Sequence, residues 1–160
     1  MMRRNNINKK ENMGNTIKFR AMCQATNVWV YGLPKTCTSL SNEITHIEQF
    51  YGEERKFGRS NVFVKPETLC QFTGLKDNNG EEFYNGSIFF YQKHSKYLLD
   101  SFVGEIVWIK EYACFGYNKR GANKLCLATP FTDHDELLSD FLSHCKIIGN
   151  IFENDNLLED

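Results

Sequence analysis

The residues of this chain that could do chemistry are a run of charged side chains near its C-terminal end. Asp133-His134-Asp135-Glu136 combines carboxylates with an imidazole, the groups that serve acid/base catalysis and metal binding. His144 and Cys145 add two further metal-ligating side chains. Structural zinc normally takes four ligands in short-range pairs, and the chain has no Cys-x-x-Cys. The acidic run is better explained as a first helical turn, where negative charge favours the helix dipole. The sequence therefore predicts no catalytic residue, no metal site and no cofactor.

Other catalytic motifs are missing from the sequence. There is no Gly-x-Ser-x-Gly, no His-Glu-x-x-His and no glycine-rich phosphate loop. The segment from Gly74 to Gly80 is rich in turn residues but lacks the lysine and the following helix of a phosphate loop. We therefore expect a protein that is not an enzyme. An enzyme with a carboxylate site is a further alternative, and it would need a cleft holding two acids with shifted pKa values.

Two loops combine basic with aromatic side chains and are the candidate binding surfaces. Small barrels can bind a single nucleic-acid strand in this way, because bases stack on aromatic rings over a basic groove. The alternative places the rings in the core and the charges at loop tips, and we favour it because the formal net charge is −1. The residues predicted for a binding surface are Lys93, Lys96, Tyr97, Tyr117, Lys119 and Arg120, with Tyr91, His94 and Phe115 beside them.

The elements that must position these residues are predicted to be mainly strands. The 160 residues suffice for one compact domain, and the 14% aromatic content favours β structure over helix bundles. No apolar run approaches the roughly 20 residues needed to span a bilayer. The basic N-terminus has no apolar segment behind it, so it is not a secretory signal. We expect a protein of the bacterial cytoplasm that does not contact the membrane.

The six cysteines are predicted to be reduced thiols. An even count fits a disulfide framework in a small secreted protein, but this chain is larger and has no export signal. Most of the cysteines lie in apolar strand patterns, which predicts burial in a reducing compartment. They are Cys23, Cys37, Cys70, Cys114, Cys126 and Cys145.

The stretch from Val64 to Ile88 reads as strand, turn, strand, turn, strand. Pro66 belongs at a strand start because it lacks a backbone donor, and Gly74 is expected to end the strand that follows. Asn79-Gly80 is typical of a tight hairpin, and Asn85-Gly86 predicts a second such turn. Three closely spaced short strands predict a small SH3-like barrel or curled antiparallel sheets.

The flanking segments are predicted as further strands and one short C-terminal helix. Pro34 should stop the second strand, and Gly104 should form a bulge in the strand at 103–109. Residues 44–51 fit either two turns of helix or a short strand. The helix should begin at Thr132 and turn one apolar face to the core. That face is Leu137, Leu138, Phe141 and Leu142. The remaining strands are predicted at 17–23, 28–33, 112–117, 124–128 and 144–152, with a hairpin turn at 118–121.

The domain organisation follows from these patterns. Residues 1–16 carry four basic residues and one acid, which predicts a disordered basic arm, or an upstream start with Met13 as the true first residue. Residues 17–152 form the β domain, which could divide into two small subdomains near 34–60. Residues 153–160 form an acidic tail.

Several motifs together resemble the YopX family, a group of small proteins encoded by bacteriophages and prophages. The matching pieces are Ile17-Lys18-Phe19-Arg20-Ala21, Trp29-Val30-Tyr31-Gly32, Pro66-Glu67-Thr68, Gln71-Phe72-Thr73-Gly74-Leu75, Asp77, Asn79-Gly80, Tyr84, Gly86 and Ile148-Gly149-Asn150-Ile151-Phe152-Glu153-Asn154. The resemblance implies a mostly β architecture that contains an SH3-like barrel. The chain departs from the family pattern at Ser87, commonly acidic, and at Asp155, commonly proline.

The resemblance implies no biochemical activity, because none is established for the family. We expect a non-enzymatic protein-interaction module that acts on a host or phage protein or assembles with itself as a homo-oligomer. The alternative is a nucleic-acid-binding small barrel, whose affinity would fall steeply with salt.

Overall fold

The fold is described by a computed structural model for residues 17–36, 44–50, 59–94, 99–120, 128–131 and 137–159. Over these ranges the chain forms eleven strands and one α-helix. They are β1 (Phe19–Met22), β2 (Trp29–Thr36), β3 (Ile44–Phe50), β4 (Arg59–Phe63), β5 (Cys70–Lys76), β6 (Glu82–Tyr84), β7 (Ser87–His94), β8 (Leu99–Ile109), β9 (Cys114–Lys119), β10 (Thr129–Pro130), α1 (Leu138–Ser143) and β11 (Cys145–Asn150). Within the same ranges no helix has the length and apolar character needed to cross a bilayer. The predicted arm at 1–16 lies outside the described residues.

The strands form two antiparallel sheets. The first has the order β4-β3-β2-β1-β5-β6, and the second has the order β10-β9-β8-β7-β11. Neither sheet closes into a barrel in the described part of the chain. Of the two predicted forms, the curled antiparallel sheets with one short C-terminal helix are therefore confirmed. Residues 44–50 adopt the strand alternative, as β3.

The main core lies on the second sheet beneath α1. Phe89, on β7, has no exposed surface, and its ring meets Tyr117 and Phe141 edge-on. The first sheet contributes Phe83 to the same cluster. Aromatic rings packed edge-to-face in this way add about 0.5–1.5 kcal/mol per pair beyond the area they bury. The aromatic content that predicted strands is thus used mainly as core packing.

Gly104 does not form the predicted bulge. It pairs in register with Phe89 on one side and with Lys119 on the other, inside an uninterrupted β8. A Cβ atom at this position would lie 2.6 Å from the Phe89 ring. The glycine is required because an aromatic ring packs directly against its backbone, and this packing has no signature in the local pattern.

The two predicted turns of the central stretch differ in what they connect. The first is a five-residue loop, because Lys76 pairs with Glu82 and β5 continues past Gly74. The expectation of a tight hairpin at Asn79-Gly80 was therefore wrong. The second turn, Asn85-Gly86, carries the chain from the first sheet into the second. We refer to Asn85 and Gly86 as the junction.

Pro34 lies inside β2 and does not end it. It pairs with Ile47 of β3. The neighbouring strand β1 pairs with β2 only as far as Gly32, so one edge of β2 is open at Pro34. Proline is compatible with such an edge because no partner strand there requires its missing N–H.

The helix begins later than predicted. Leu137 adopts an extended conformation as the N-cap of α1 and is 78% exposed, so it is not on the packed face. Thr132, the predicted N-cap, lies outside the described residues. Phe141 is the buried residue of α1. The acids at 133, 135 and 136, on which the earlier start was based, lie outside the described residues.

The end of the second sheet is also displaced from its prediction. β9 extends through Lys119, so the residues expected in a hairpin turn at 118–121 begin inside a strand. Among the described residues the partner strand of β9 is β10, at Thr129–Pro130. Of the strand predicted at 124–128, residues 124–127 lie outside the described residues. The predicted tail contains a short 3₁₀ turn at Asp155–Leu158.

Candidate functional site

The aromatic residues predicted for a binding surface belong largely to the core. Tyr117 is 3% exposed and stacks against Phe141 and Phe102. Tyr91 is buried between the same two rings. Neither ring is accessible to a stacking ligand, so these two tyrosines do not supply the aromatic platform on which single-strand binding depends.

The basic residues of the same prediction are spread over several places. Lys93 forms an ion pair with Asp140 of α1 at 2.7 Å. Lys119 lies over the Phe102 ring, 4.3 Å from its centroid. Arg120 donates its backbone N–H to Val103. Lys96 and Tyr97 lie outside the described residues. The structure therefore does not bring these side chains together, and binding through the charged ones stays a prediction.

The structure describes only some of the residues considered as possible metal ligands. His134 and its acidic neighbours lie outside the described residues. His144 Nδ1 lies 2.8 Å from the Asp140 carbonyl oxygen, and the Cys145 thiol is fully buried and donates to Phe141 O. In the described ranges no three His, Cys, Asp or Glu side chains are grouped so as to hold a metal ion.

An apolar cleft, here called the Trp108 cleft, opens between the two sheets. Phe19 of β1 faces it from the first sheet, beside its cross-strand neighbour Gln71 of β5. Trp108 and Phe115 are cross-strand neighbours on β8 and β9, and their rings meet edge-on at 5.0 Å. The cleft has a volume of about 220 Å³ and adjoins a recess of about 310 Å³ that shares Trp108 and Phe115 and extends to Ile17.

Trp108 is exposed in this cleft, and Ile17 is exposed in the adjoining recess. Trp108 is 48% exposed and Ile17 is 65% exposed. A single exposed apolar residue needs no explanation, but two of them on adjoining concave surfaces make this region the candidate interaction site. Tryptophan is also among the residues enriched at the energetic centres of protein interfaces.

Asn85, at the junction, supplies the Trp108 cleft with one polar atom. Its backbone N–H donates to Gln71 O at 3.0 Å, which fixes the turn against β5. Its side-chain Oδ1 is buried and accepts no hydrogen bond from any described residue. An unsatisfied buried acceptor costs about 1–3 kcal/mol. Because this atom has almost no accessible surface, what the cleft presents to a partner is its apolar side chains.

The opposite face of the first sheet carries a second concave site, here called the Arg20 groove. Consecutive strand residues point to opposite faces, so Phe19 enters the Trp108 cleft while Arg20 enters this groove. The groove has a volume of about 570 Å³. Its walls include Arg20, Tyr31, Lys76, Tyr84, Ser87 and Asn150.

The Arg20 guanidinium is held between two aromatic rings. Its central carbon lies 4.5 Å from the ring centroid of Trp29 and 4.5 Å from that of Tyr84. Cation–π contacts of this kind contribute about 0.5–2 kcal/mol each. The Nε atom is buried and has no hydrogen-bond partner among the described residues. The rings thus fix the orientation of a donor that this part of the chain does not use.

Charged neighbours of the groove are paired with one another. Glu82 accepts hydrogen bonds from Lys18 and from the Tyr84 hydroxyl. Burial opposes ionisation of Glu82, but these hydrogen bonds and the Lys18 and Lys76 charges outweigh it, so its pKa is lowered. Burial, together with the Glu82 carboxylate, raises the pKa of Tyr84 well above its usual range.

The end of β11 lines the groove with Gly149 and Asn150, and side chains cap the turn that follows. Asn150 Oδ1 accepts the backbone N–H groups of Phe152 and Glu153, at 3.0 and 3.2 Å. Asn154 Oδ1 accepts the Asn150 N–H, and a Cβ atom on Gly149 would lie 2.6 Å from that same oxygen. These contacts explain the glycine and the two asparagines at 149, 150 and 154: together they form a side-chain-capped turn.

Sequence reasoning did not single out Arg20, Asn85 or Trp108. Arg20 and Trp108 occupy strand positions whose alternation is ordinary, and Asn85 was assigned only to a turn. The available signal was a charged or large aromatic residue in an otherwise apolar strand. That signal does not reveal which face of a sheet meets a cleft.

Comparisons with known proteins agree with this fold. A family model described as YopX protein matches residues 18–159. No curated protein matches the chain. The crystal structure of protein EF1440 from Enterococcus faecalis is similar to this chain, with a TM-score of 0.53 and 25% sequence identity. The similarity covers 91% of this chain and 100% of that one.

Proposed function

Because the chain belongs to the YopX family, matched over residues 18–159, we propose that it acts as a non-enzymatic protein-interaction module. Its partner is a host or phage protein met in the bacterial cytoplasm. The contact surface is the Trp108 cleft. No reaction is assigned to the chain.

One observation supports the proposal above the others: an apolar cleft between the two sheets carries a tryptophan that is 48% exposed. Burying the exposed part of Trp108 against a partner would add favourable apolar area at about 25 cal/mol per Å². The partner feature that fits is an apolar side chain that can fill the cleft beside Trp108.

The alternative, a nucleic-acid-binding module, has less support. The rings of Tyr91 and Tyr117 are buried, and Lys93 is paired with Asp140. The formal net charge of −1 provides no overall attraction to a phosphate backbone. Nucleic acid is therefore the outcome that would overturn the proposal.

The test is affinity capture from a bacterial lysate with wild type and two matched variants. Trp108→Ala removes the exposed ring of the cleft. Tyr112→Ala is the control, because Tyr112 is 60% exposed and close in sequence but does not line the cleft. The expected result is a stoichiometric protein that wild type and Tyr112→Ala retain and Trp108→Ala loses.

Asn85→Ala is a second control, placed behind the apolar wall of the cleft. It removes an enclosed, unsatisfied acceptor and leaves Trp108 in place, so the variant should be at least as stable as wild type and should retain the partner. A partner retained by Trp108→Ala would contradict the proposal. Captured material that disappears on nuclease treatment and high salt would also contradict it.

A further inference from the structure

We propose that the Arg20 groove binds a small monocarboxylate with an apolar body, held by the Arg20 guanidinium and the Ser87 hydroxyl. This site is separate from the Trp108 cleft, because β1 turns Phe19 and Arg20 to opposite faces of the sheet. The groove volume of about 570 Å³ lies within the range typical of small-molecule sites.

Arg20 has the features of an anion-binding donor. The two rings that hold it fix the plane of the guanidinium, and its Nε–H is buried without an acceptor in the described part of the chain. Because the Nε atom has almost no accessible surface, a ligand in the groove would meet the guanidinium at its Nη–H groups, whose paired donors match the two oxygens of a carboxylate. The Nε–H belongs to the same rigid guanidinium and responds to that contact. A ligand carboxylate would supply an acceptor for these donors.

The groups near Arg20 do not replace that acceptor. The pKa of Glu153 is lowered by the hydrogen bonds that its Oε2 already accepts from Trp29 and Asn150, at 2.9 and 2.6 Å, and to a smaller extent by the Arg20 charge. Burial raises the pKa of the Cys70 thiol despite its hydrogen bond to Arg20, so the sulfur is uncharged at neutral pH. The ion pairs formed by described residues do not include Arg20.

Ser87 is the second donor. It is 1% exposed and lines the groove, and its Oγ accepts the Tyr84 N–H at 3.0 Å. A hydroxyl that accepts a hydrogen bond still has its own proton to donate. Tyr31, half exposed and paired across the strands with Arg20, places an aromatic ring at the mouth of the groove, where an apolar ligand body can contact it.

The acids of the groove decide between a carboxylate and a phosphate. Glu81 and Glu82 line the same walls as Arg20. A phosphate monoester carries a charge near −2 at neutral pH and would be repelled by both. A carboxylate carries a single charge and two coplanar oxygens, which one guanidinium fork neutralises. The two acids repel both anions, but they repel the singly charged one less, so the groove favours a monocarboxylate over a phosphate.

The test is an NMR titration of the full chain with benzoate, acetate and inorganic phosphate. The Arg20 Nε–H resonance reports directly on the proposed contact. Benzoate should shift it saturably, acetate should bind more weakly because it lacks the apolar body, and phosphate should not bind. Ser87→Ala should weaken benzoate binding about tenfold, the loss expected for one hydrogen bond to a charged group. Trp108→Ala should bind benzoate like wild type, which separates this proposal from the proposed function.

A second variant avoids reliance on Arg20 substitutions, which could unfold the aromatic stack. Ser87→Asp adds a carboxylate to the groove wall, so charge repulsion should abolish benzoate binding while the NMR spectrum stays that of a folded chain. The proposal is overturned if wild type shows no saturable benzoate binding. It is also overturned if Ser87→Ala and Ser87→Asp both bind as wild type does, or if phosphate binds as tightly as benzoate.

Discussion

Trp29 donates its indole N–H to Glu153 Oε2 at 2.9 Å, although the two residues are 124 positions apart in the chain. Asn150 donates to the same oxygen at 2.6 Å, and the Trp29 ring meets Phe152 edge-on. One carboxylate thus ties the second strand of the first sheet to the turn that follows the last strand of the second sheet. Stability should depend on whether that carboxylate is ionised.

The Glu153 contact predicts a specific loss of stability in acid. Its hydrogen bonds with Trp29 and Asn150 lower its pKa in the folded state. A lowered pKa contributes stability above the unfolded value, near 4.3, and that stability is lost as the pH falls through the folded pKa. Glu153→Gln should be less stable than wild type at neutral pH, by roughly 0.5 kcal/mol because the carboxylate is exposed. The gap should close as the pH falls below the ordinary glutamate pKa and through the lowered folded-state pKa.

Urea unfolding at a series of pH values measures this dependence. Glu82 provides an independent comparison, because its pKa is also lowered, with the hydrogen bonds from Lys18 and Tyr84 outweighing its burial. Glu82→Gln should therefore change the pH dependence in the same direction. Parallel stability curves for wild type and Glu153→Gln would show that the Trp29 contact carries no ionisation-linked energy.

Asp77 should be one of the most sensitive polar positions of the fold. It is 7% exposed, and its Oδ1 accepts the N–H groups of Asn79 and Glu81 while its Oδ2 accepts the N–H of Ile147 at 2.9 Å. It thereby closes the five-residue loop and fastens it to β11. Asp77→Ala should cost roughly 2–4 kcal/mol, because three backbone donors lose a charged acceptor.

Asp77→Asn tests which of the two carboxylate oxygens matters. The amide retains one acceptor for the loop but presents an NH₂ group to Ile147 or to the loop donors. Its loss in denaturant midpoint should be smaller than that of Asp77→Ala but still clear. Equal midpoints for Asp77→Asn and wild type would mean that the link to Ile147 contributes nothing to stability.

Gly104→Ala should destabilise the protein through overpacking. The added methyl group would lie 2.6 and 2.7 Å from atoms of the fully buried Phe89 ring. Overpacking of this kind costs about 1–3 kcal/mol. Phe89→Leu removes the obstructing ring atoms, so the double variant should lose less stability than the sum of the single losses. Additive losses in thermal unfolding would argue that β8 shifts as a whole to accept the methyl group.

The cysteines should react with iodoacetamide in an order set by burial and pKa. Hydrogen bonds from the Thr26 side chain and backbone lower the pKa of Cys23, which is partly exposed. Burial raises the pKa of Cys70, and the Cys145 thiol is fully enclosed. Brief labelling of the native protein near pH 7.5, followed by mass spectrometry, should therefore find Cys23 modified well before Cys70 and Cys145. Equal rates at all three would show that the native protein opens globally on the labelling timescale.

The strands and their class were predictable because they depend on local composition. Runs such as Ile88–Tyr91 are apolar and aromatic, and the glycines at 74, 80 and 86 do adopt positive φ. Errors arose where a distant contact decides the local structure. Pro34 stays in a strand because β1 ends beside it, and Gly104 is needed because Phe89 packs on it. Neither neighbour is visible in a window of a few residues.

The candidate sites were less accessible to prediction than the fold. Basic and aromatic residues are interspersed at 91–97 and 115–120. The rings of Tyr91 and Tyr117 nevertheless lie in the core, because Phe141 of α1 stacks on both. Arg20 and Asn85 stand out only because one atom of each is buried without a partner. That property depends on the packing of both sheets and cannot be read from residue types.

The junction has a consequence for the rate at which a partner associates with the Trp108 cleft. Asn85 N–H bonds to Gln71 O in the first sheet, Gly86 N–H bonds to Ile106 O in the second, and Gly86 O accepts from Ile151. The hinge position between the two sheets is thus fastened on both sides, so the walls of the Trp108 cleft are set before a partner arrives. A partner would meet a preorganised surface and spend little conformational entropy on it. Association should then proceed in one step, at the roughly 10⁵–10⁷ M⁻¹s⁻¹ of rigid-body docking, without a slow opening phase.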